Sequence, residues 1–399
     1  METITGSTIG EVLFEQEIKG TEAFSVYEGI FVPVNQKVMV KVYDKGVIGE
    51  NGEIQRVRDE IDWFKKLNHP FLATYITDFE NEERIFIVFE YLANGQLAEY
   101  ILSKGRMTEL RARKFLSQIY SIIDYFHNVM RIVHRNLVPE LFYIDEYENI
   151  RLIDFRFCVQ IENEEFQVSG QCGDPILQPP EMQYSQSYNY LVDLWYTGIL
   201  MYFIVVGEYP FRMKVKEESS SEISYPSFLS STFIDFLKKA LHRNFRQRIT
   251  TNSIVDHPWF SKTEFAKIVP FLHGVEMYGI YNESLSNSLA SYGINIEKLV
   301  IDLSKRAFTT ETSIFRLLSR KEFMLSMYPS ESDSDWSNRE RRPSGSGNRR
   351  LSWEMSSPVL LPQRPSFKPK QLPSPSACPV PVAARRSSHN LSSKIIPNK

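Results

Sequence analysis

Cysteine is nearly absent from this chain: Cys158, Cys172 and Cys378 are the only three in 399 residues. An odd number at wide spacing excludes a disulfide framework and the paired spacing of a structural zinc site. A reducing compartment, cytoplasm or nucleus, is the expectation. Long apolar runs are absent too. The longest, Trp195 to Val206, is 12 residues and includes Tyr196, Thr197 and Gly198; it reads as a buried core helix, so no transmembrane segment is expected. The N-terminus carries early acidic residues, Glu2 and Glu11, in place of a charged-then-apolar signal. No internal repeat is visible. Net charge is −3, and it is uneven. Residues 331–399 hold 12 Lys/Arg and 5 Asp/Glu, which leaves residues 1–330 at −10. An acidic body is a poor nucleic-acid surface, so no nucleic-acid partner is expected.

What is present is a strand-rich front and a helix-rich back. Phe24-Ser25-Val26-Tyr27 and Lys37-Val38-Met39-Val40-Lys41-Val42 alternate as strands. Ile54, Val57, Ile61, Phe64 and Leu67 recur at helical spacing before Asn68-His69-Pro70 stops that helix. Two more strands follow, near Thr74–Phe79 and Arg84–Glu90. After Asn94-Gly95 the pattern turns helical: a long helix from about Gly105 to Val129, then segments at 190–206, 231–242 and 251–256. Residues 283–323 read as three short helices with breaks near Gly293 and Thr309-Thr310. From about Pro329 the chain is rich in Ser, Pro and Arg without periodicity, and cannot bury enough apolar surface to offset ordering entropy. The expected architecture is α+β: residues 12–260 as a two-lobed domain (12–92 strand-rich, 93–260 helical), 283–323 as a small helical domain, and 329–399 as a disordered tail.

Several separated segments, in order and spacing, carry a resemblance. They are Val38-Met39-Val40-Lys41; Glu60, 19 residues later; Phe89-Glu90-Tyr91-Leu92; His134-Arg135-Asn136-Leu137-Val138-Pro139-Glu140-Leu141; Asp154-Phe155-Arg156; Cys172-Gly173-Asp174-Pro175 with Pro179-Pro180-Glu181; Asp193-Leu194-Trp195 with Gly198; Arg248; and His257-Pro258-Trp259-Phe260. Together they resemble the protein kinase superfamily, in the calcium/calmodulin- and AMP-activated-kinase-like branch of the serine/threonine kinases. The resemblance implies an ATP and magnesium site built from Gly20, Lys41, Glu60, Glu90, Leu92 and Asp154, with Asp154 the one metal ligand. It implies structural roles for His134, Phe155, Glu181, Asp193 and Arg248, with Phe64, Tyr75, Phe155 and His134 stacked between the lobes. Ala290-Ser291-Tyr292-Gly293-Ile294 and Ser313-Ile314-Phe315-Arg316-Leu317-Leu318 resemble the ubiquitin-associated-like domain behind the catalytic domain of AMP-activated-kinase relatives.

The departures fall on the chemistry. Asn136 stands where the family has its catalytic-base aspartate, and an amide is no base near pH 7; losing a positioned base costs on the order of 10²–10⁴ in rate. Val138 replaces the lysine that neutralises the transferring phosphate. Leu141 replaces the asparagine of the second magnesium and offers a hard cation no oxygen. Arg156 replaces a glycine, whose backbone freedom arginine lacks, and puts a cation beside Asp154 in place of the metal. Met39 and Tyr143 crowd the adenine slot. The glycine-rich loop, residues 18–25, keeps at best Gly20, with Glu22 turned toward the phosphates. Gly170 occupies the position of the activating threonine, beside Ser169. Asp174 replaces a second threonine, with a hydrogen bond to Asn136 as the substitute contact.

Binding of ATP and magnesium is therefore expected to be weak or absent. Three Arg-Arg-x-Ser strings, ending at Ser344, Ser352 and Ser388, resemble sites for a basic-directed kinase acting on the tail. Three functional readings stay open: a kinase-shaped scaffold that binds an active kinase or its substrate; a serine/threonine kinase with low residual activity through Lys41, Glu60 and Asp154; and a nucleotide-binding switch without transfer.

Overall fold

The computed structural model describes residues 4–49, 52–161, 167–185, 187–211, 223–269 and 283–327. Ser344, Ser352, Ser388 and the rest of the expected tail lie outside the described residues.

The first lobe is a six-stranded antiparallel sheet in the order β1-β2-β3-β4-β6-β5. Its strands are β1 (Thr8–Ile9), β2 (Val12–Thr21), β3 (Phe24–Phe31), β4 (Gln36–Asp44), β5 (Tyr75–Glu80) and β6 (Arg84–Glu90). The short α1 (Lys45–Ile48) leads to α2 (Glu53–Lys66). In α2 the periodic residues Val57, Ile61 and Phe64 are buried, and Glu60 is buried with them. Glu53 in its first turn and Lys65 and Lys66 in its last complement the helix dipole.

The second lobe is helical. It contains α3 (Leu97–Lys104), α4 (Glu109–Asp124), α5 (Pro180–Tyr184), α6 (Val192–Val206), α7 (Ser231–Ala240), α8 (Thr251–Asp256) and α9 (Lys262–Ile268). The long helix expected to reach Val129 changes pitch: α4 ends at Asp124 and a wide π-helical stretch, Tyr125–Met130, continues it. Thr108 caps α4 by accepting from the Arg111 N–H. Fourteen of the 15 residues of α6 are buried, as its unbroken apolar run requires. Gly198 lets α7 approach closely, since a Cβ there would stand 2.7 Å from Leu241 Cγ. Two small antiparallel pairs frame the loops between α4 and α5: β7 (Ile132–Val133) with β10 (Val159–Gln160), and β8 (Phe142–Ile144) with β9 (Ile150–Leu152). Among the described residues no helix is long and apolar enough to cross a membrane.

Three further helices follow: α10 (Glu283–Ser291), α11 (Ile296–Ser304) and α12 (Thr310–Met327). The last is 18 residues, not the short helix expected. They pack on the outer face of the first lobe's sheet. Leu285, Leu289, Leu299, Leu303, Ile314 and Phe315 share one apolar cluster with Val12, Phe14, Val38, Val40, Phe86 and Val88. Polar anchors fix the register. Ser313 Oγ donates to the Ile76 carbonyl at 2.6 Å, Thr310 Oγ1 to Glu11 at 2.9 Å, and Arg320 Nε to Glu90 Oε2 at 3.2 Å.

Candidate active site

Strand register builds the centre of the site. Val26 of β3 faces Lys41 of β4, so Phe24, two residues earlier on the same face, is carried toward the lysine head group. Lys41 Nζ lies 4.0 Å from the Phe24 ring centre, within cation–π range. The same ammonium donates to Glu60 Oε1 at 2.6 Å and to Asp154 Oδ2 at 2.8 Å. Tyr43, two residues after Lys41, sends its hydroxyl to Glu60 Oε2 at 2.6 Å. The Phe155 N–H donates to Glu60 Oε1 at 2.9 Å, tying α2 to the turn that carries Asp154.

Arg156 closes the cluster. Its Nε donates to Asp154 Oδ2 at 2.9 Å and its backbone N–H to Oδ1 at 3.1 Å. Its guanidinium lies against Phe24, Tyr43 and Phe157, 5.2 to 5.7 Å from the ring centres. Arg156 is not among the residues with positive φ. The backbone cost expected from replacing glycine is therefore not incurred, and the consequence of the substitution is the cation it adds.

Lys41, Glu60 and Asp154 are all fully buried, and two cations meet two carboxylates. Burial pushes the Asp154 carboxyl up, but Arg156 and Lys41 outweigh it and hold the group well below the usual carboxylate range. For Glu60 burial wins over Lys41, and its carboxyl is raised. Burial and then the Glu60 carboxylate push the Tyr43 phenol far up.

The catalytic-loop positions sit beside this cluster. Asp193, at the start of α6, accepts from the Arg135 N–H at 2.7 Å, the His134 N–H at 3.0 Å and His127 Nε2 at 2.8 Å. These bonds hold Arg135 at φ 73°, a conformation that needs such support. His134 Nε2 donates to the Asp154 carbonyl at 2.7 Å. Asn136 is buried, and its Oδ1 has no hydrogen-bond partner among the described residues. The expected Asp174–Asn136 bond is not formed. Asp174 Oδ1 instead accepts from the Ile176 N–H at 2.9 Å, closing its own turn, and it is Gly173 that abuts the Asn136 amide. Val138 and Leu141 are buried. The rings of Tyr75, Phe64, Phe155, His134 and Phe126 form a continuous stack, with neighbouring centroids 4.6 to 6.3 Å apart. Glu181 and Arg248 make a bidentate buried pair at 2.5 and 2.9 Å under Trp195.

Two loop expectations change. Gly20 lies within β2. Glu22 is at an exposed turn, and the residue that reaches the charged cluster is Phe24. At the strand linking the lobes, Glu90 and Leu92 are buried, as are Met39, Phe89 and Tyr143 on the surfaces expected to hold adenine. Glu90 is enclosed further by Thr74, whose N–H and Oγ1 both donate at 2.9 Å, by Arg151 at 3.6 Å and by Arg320.

As these residues stand, they do not match the donor set of a magnesium nucleotide. The Arg156 guanidinium already sits on Asp154 Oδ2 at 2.9 Å, Leu141 supplies no oxygen, and an aromatic ring covers the lysine that would meet phosphate. Among the described residues no group of three His, Cys, Asp or Glu side chains is placed to hold a metal. Phe24, Tyr43, His127 and Arg320 were not singled out from the sequence. Phe24 and Tyr43 share Lys41's strand face, a signal that period-2 reasoning from Lys41 would have found; Arg320 lies 60 residues beyond the expected domain end at residue 260.

A family model described as the protein kinase domain matches residues 19–260. Over 231 residues the chain is 33% identical to a maternal embryonic leucine zipper kinase of Xenopus laevis, covering 56% of this chain and 35% of that protein. The corresponding kinase of Danio rerio is 31% identical over 231 residues, with 56% and 34% covered. A carbon catabolite-derepressing protein kinase of Candida glabrata is 27% identical over 323 residues, with 79% and 52% covered. The chain spans between a third and about half the length of these curated relatives. With the two-lobed fold and the ordered series of motifs, these matches establish that the chain belongs to the protein kinase family, in the calcium/calmodulin- and AMP-activated-kinase-like branch of its serine/threonine members.

Proposed function

We propose that this chain is a catalytically impaired member of the family that acts by protein binding, as a scaffold or allosteric regulator of an active kinase or of that kinase's substrate. The observation that carries the reading is Asn136. It sits in an intact catalytic-loop frame, anchored through His134 and Arg135 to Asp193, yet its buried side-chain oxygen makes no hydrogen bond among the described residues and cannot take a proton. Val138 and Leu141 beside it bring no charge and no metal oxygen. Scaffold contacts such as Glu181–Arg248 remain in place, so the differences fall on chemistry and not on shape. ATP and magnesium are taken to bind weakly or not at all.

The expectation is that purified full-length protein transfers no radiolabelled phosphate from ATP to itself or to serine and threonine peptides above the level of its own Lys41→Met variant. Labelling that vanishes in Lys41→Met would refute the reading. It would favour the second one, a slow serine/threonine kinase, which is supported by the 2.6 Å Lys41–Glu60 pair and the adjacent Asp154. A nucleotide-induced stabilisation without transfer would favour the switch. We take α10 to α12 as the ubiquitin-associated-like domain: the alignment to the Candida glabrata relative covers 79% of the chain and so extends past residue 260. The Arg-Arg-x-Ser strings at Ser344, Ser352 and Ser388 are the proposed sites of a basic-directed kinase, with cytoplasm or nucleus as the proposed location.

A further inference from the structure

We infer that the phosphate-metal corner of this cleft carries its own occupant: Arg156 stands on Asp154 in the place of a divalent cation, and Phe24 stands on Lys41 in the place of a phosphate, so that a latent polyphosphate site is held shut by two side chains. This deepens the impaired-kinase reading, on which it rests, by naming what closes the site.

The geometry is cooperative. Phe24 touches both cations of the cluster, 4.0 Å from Lys41 Nζ and 5.2 Å from the Arg156 guanidinium carbon. Arg156 in turn fills the space between Asp154 and the aromatic pair Phe24–Tyr43, whose rings meet edge to face at 5.6 Å. Removing the ring alone leaves Arg156 on both Asp154 oxygens. Removing the guanidinium alone leaves the ring over Lys41. Only the loss of both removes the side chains that stand over the ammonium and the carboxylate. These remain side by side, 2.8 Å apart, with the backbone N–H of residue 156 still on Asp154 Oδ1, and that is the pairing of charges a metal–polyphosphate complex needs. The remaining network, Glu60 with Lys41, Tyr43 and Phe155, is untouched by either change, so α2 keeps its place.

The probe is magnesium tripolyphosphate, which does not enter the adenine slot and so bypasses Met39 and Tyr143. Thermal unfolding of the full-length parent, Phe24→Gly, Arg156→Gly and the double variant is followed with and without the probe. The double variant should be stabilised by about 3–5 °C at a probe concentration about a hundredfold above Kd. The parent and both single variants should stay within about 1 °C, and Lys41→Met in the double background should abolish the gain. A folded double variant that does not respond, or a parent that responds as strongly, overturns the inference. If the glycines cost the cooperative transition, Phe24→Ala with Arg156→Gln is read in the same way. A magnesium-ATP arm separates the two levels. Lys41-dependent phosphate transfer by the parent sinks the functional proposal. An unresponsive double variant with an inert parent sinks only the built-in occupant.

Discussion

Replacing Arg320 by methionine removes a buried guanidinium from the joint between the lobes while keeping most of the side-chain volume. Arg320 Nε donates to Glu90 Oε2 at 3.2 Å, and its terminal nitrogen donates to the Pro70 carbonyl. Burial, and then Arg151 nearby, lower its pKa to about 10, so the charge is held at some cost and is retained for its partner. Breaking a buried pair by deleting one member costs about 3–5 kcal/mol. Glu90 keeps Thr74 and Arg151, which places the expected loss at the low end, about 3 kcal/mol. For a folded body of this size that is a drop of roughly 4–6 °C in unfolding midpoint. The assay is thermal unfolding of the full-length protein, with a double-mutant cycle against Glu90→Gln. The cycle should show a coupling of about 1–3 kcal/mol, as for residues in one network. A midpoint change under about 2 °C with no coupling would mean that α12 does not rest on Glu90 in solution, and the cover over the first lobe would have to be abandoned.

Ending the chain after residue 269 should expose the sheet face of Val12, Phe14, Val38, Val40 and Val88 that α10 to α12 cover. Each of the lost side chains Leu285, Leu289, Leu299 and Phe315 is worth about 1.5–3 kcal/mol when fully buried. The shortened protein should bind a hydrophobic dye and self-associate, and a monodisperse, dye-silent product would contradict the packing. Arg248→Ala strands Glu181 in the core and should cost about 3–5 kcal/mol, read as a lowered urea midpoint with an unchanged slope; loss below about 1 kcal/mol would count against a closed pair. Burial holds the His69 imidazole well below its usual value, helped by Arg320 and Arg151, and burial also lowers His134. Each binds fewer protons folded than unfolded, so their contribution is complete above the unfolded value near 6.5 and is lost as pH falls below it, at up to about 1.4 kcal/mol per pH unit per histidine. His69→Gln should flatten the unfolding midpoint between about pH 6.5 and 5, and an identical profile in parent and variant would refute the assignment.

Elements with one clear periodicity were legible in the sequence. Val57, Ile61 and Phe64 set the buried face of α2, with Ile54 half-buried at its edge, and Lys37 to Val42 fall inside β4. Period alone did not show the change of pitch after Asp124, because a π-helical turn keeps hydrophobic residues coming at nearly the same spacing. Charged members of the site were legible because their spacing is long-range and fixed. Lys41, Glu60 and Asp154 meet within 2.8 Å. What the sequence could not display is which side chain fills the volume between them. Glu22 has the charge that draws attention, but it lies exposed at the turn where β2 and β3 reverse. Phe24 is ordinary by composition and decisive by register, two residues from Val26 on the inner face of β3. Asp174 stands where the family's threonine links to the catalytic loop, yet a carboxylate two residues before an unpaired backbone N–H closes its own turn first.

Fold and chemistry separate on the same physical ground in this chain. A network whose members are all protein groups gains stability by satisfying every donor and acceptor internally, whereas a catalytic network must leave some unsatisfied for substrate and metal. In the Lys41–Glu60–Asp154–Arg156 cluster, Asp154 is bonded on both oxygens and Lys41 on two carboxylates and a carbonyl. The buried exception at the catalytic loop, the Asn136 oxygen, cannot accept a proton as a base would. Saturation of this kind is what the proposed impaired-kinase reading requires of the cluster. The substitutions therefore act as a unit. Restoring only the base adds a buried carboxylate while Phe24 still covers Lys41, so on the proposed closure Asn136→Asp is expected to lower the unfolding midpoint without producing phosphate transfer. Transfer by that single variant would show that the cleft opens on its own.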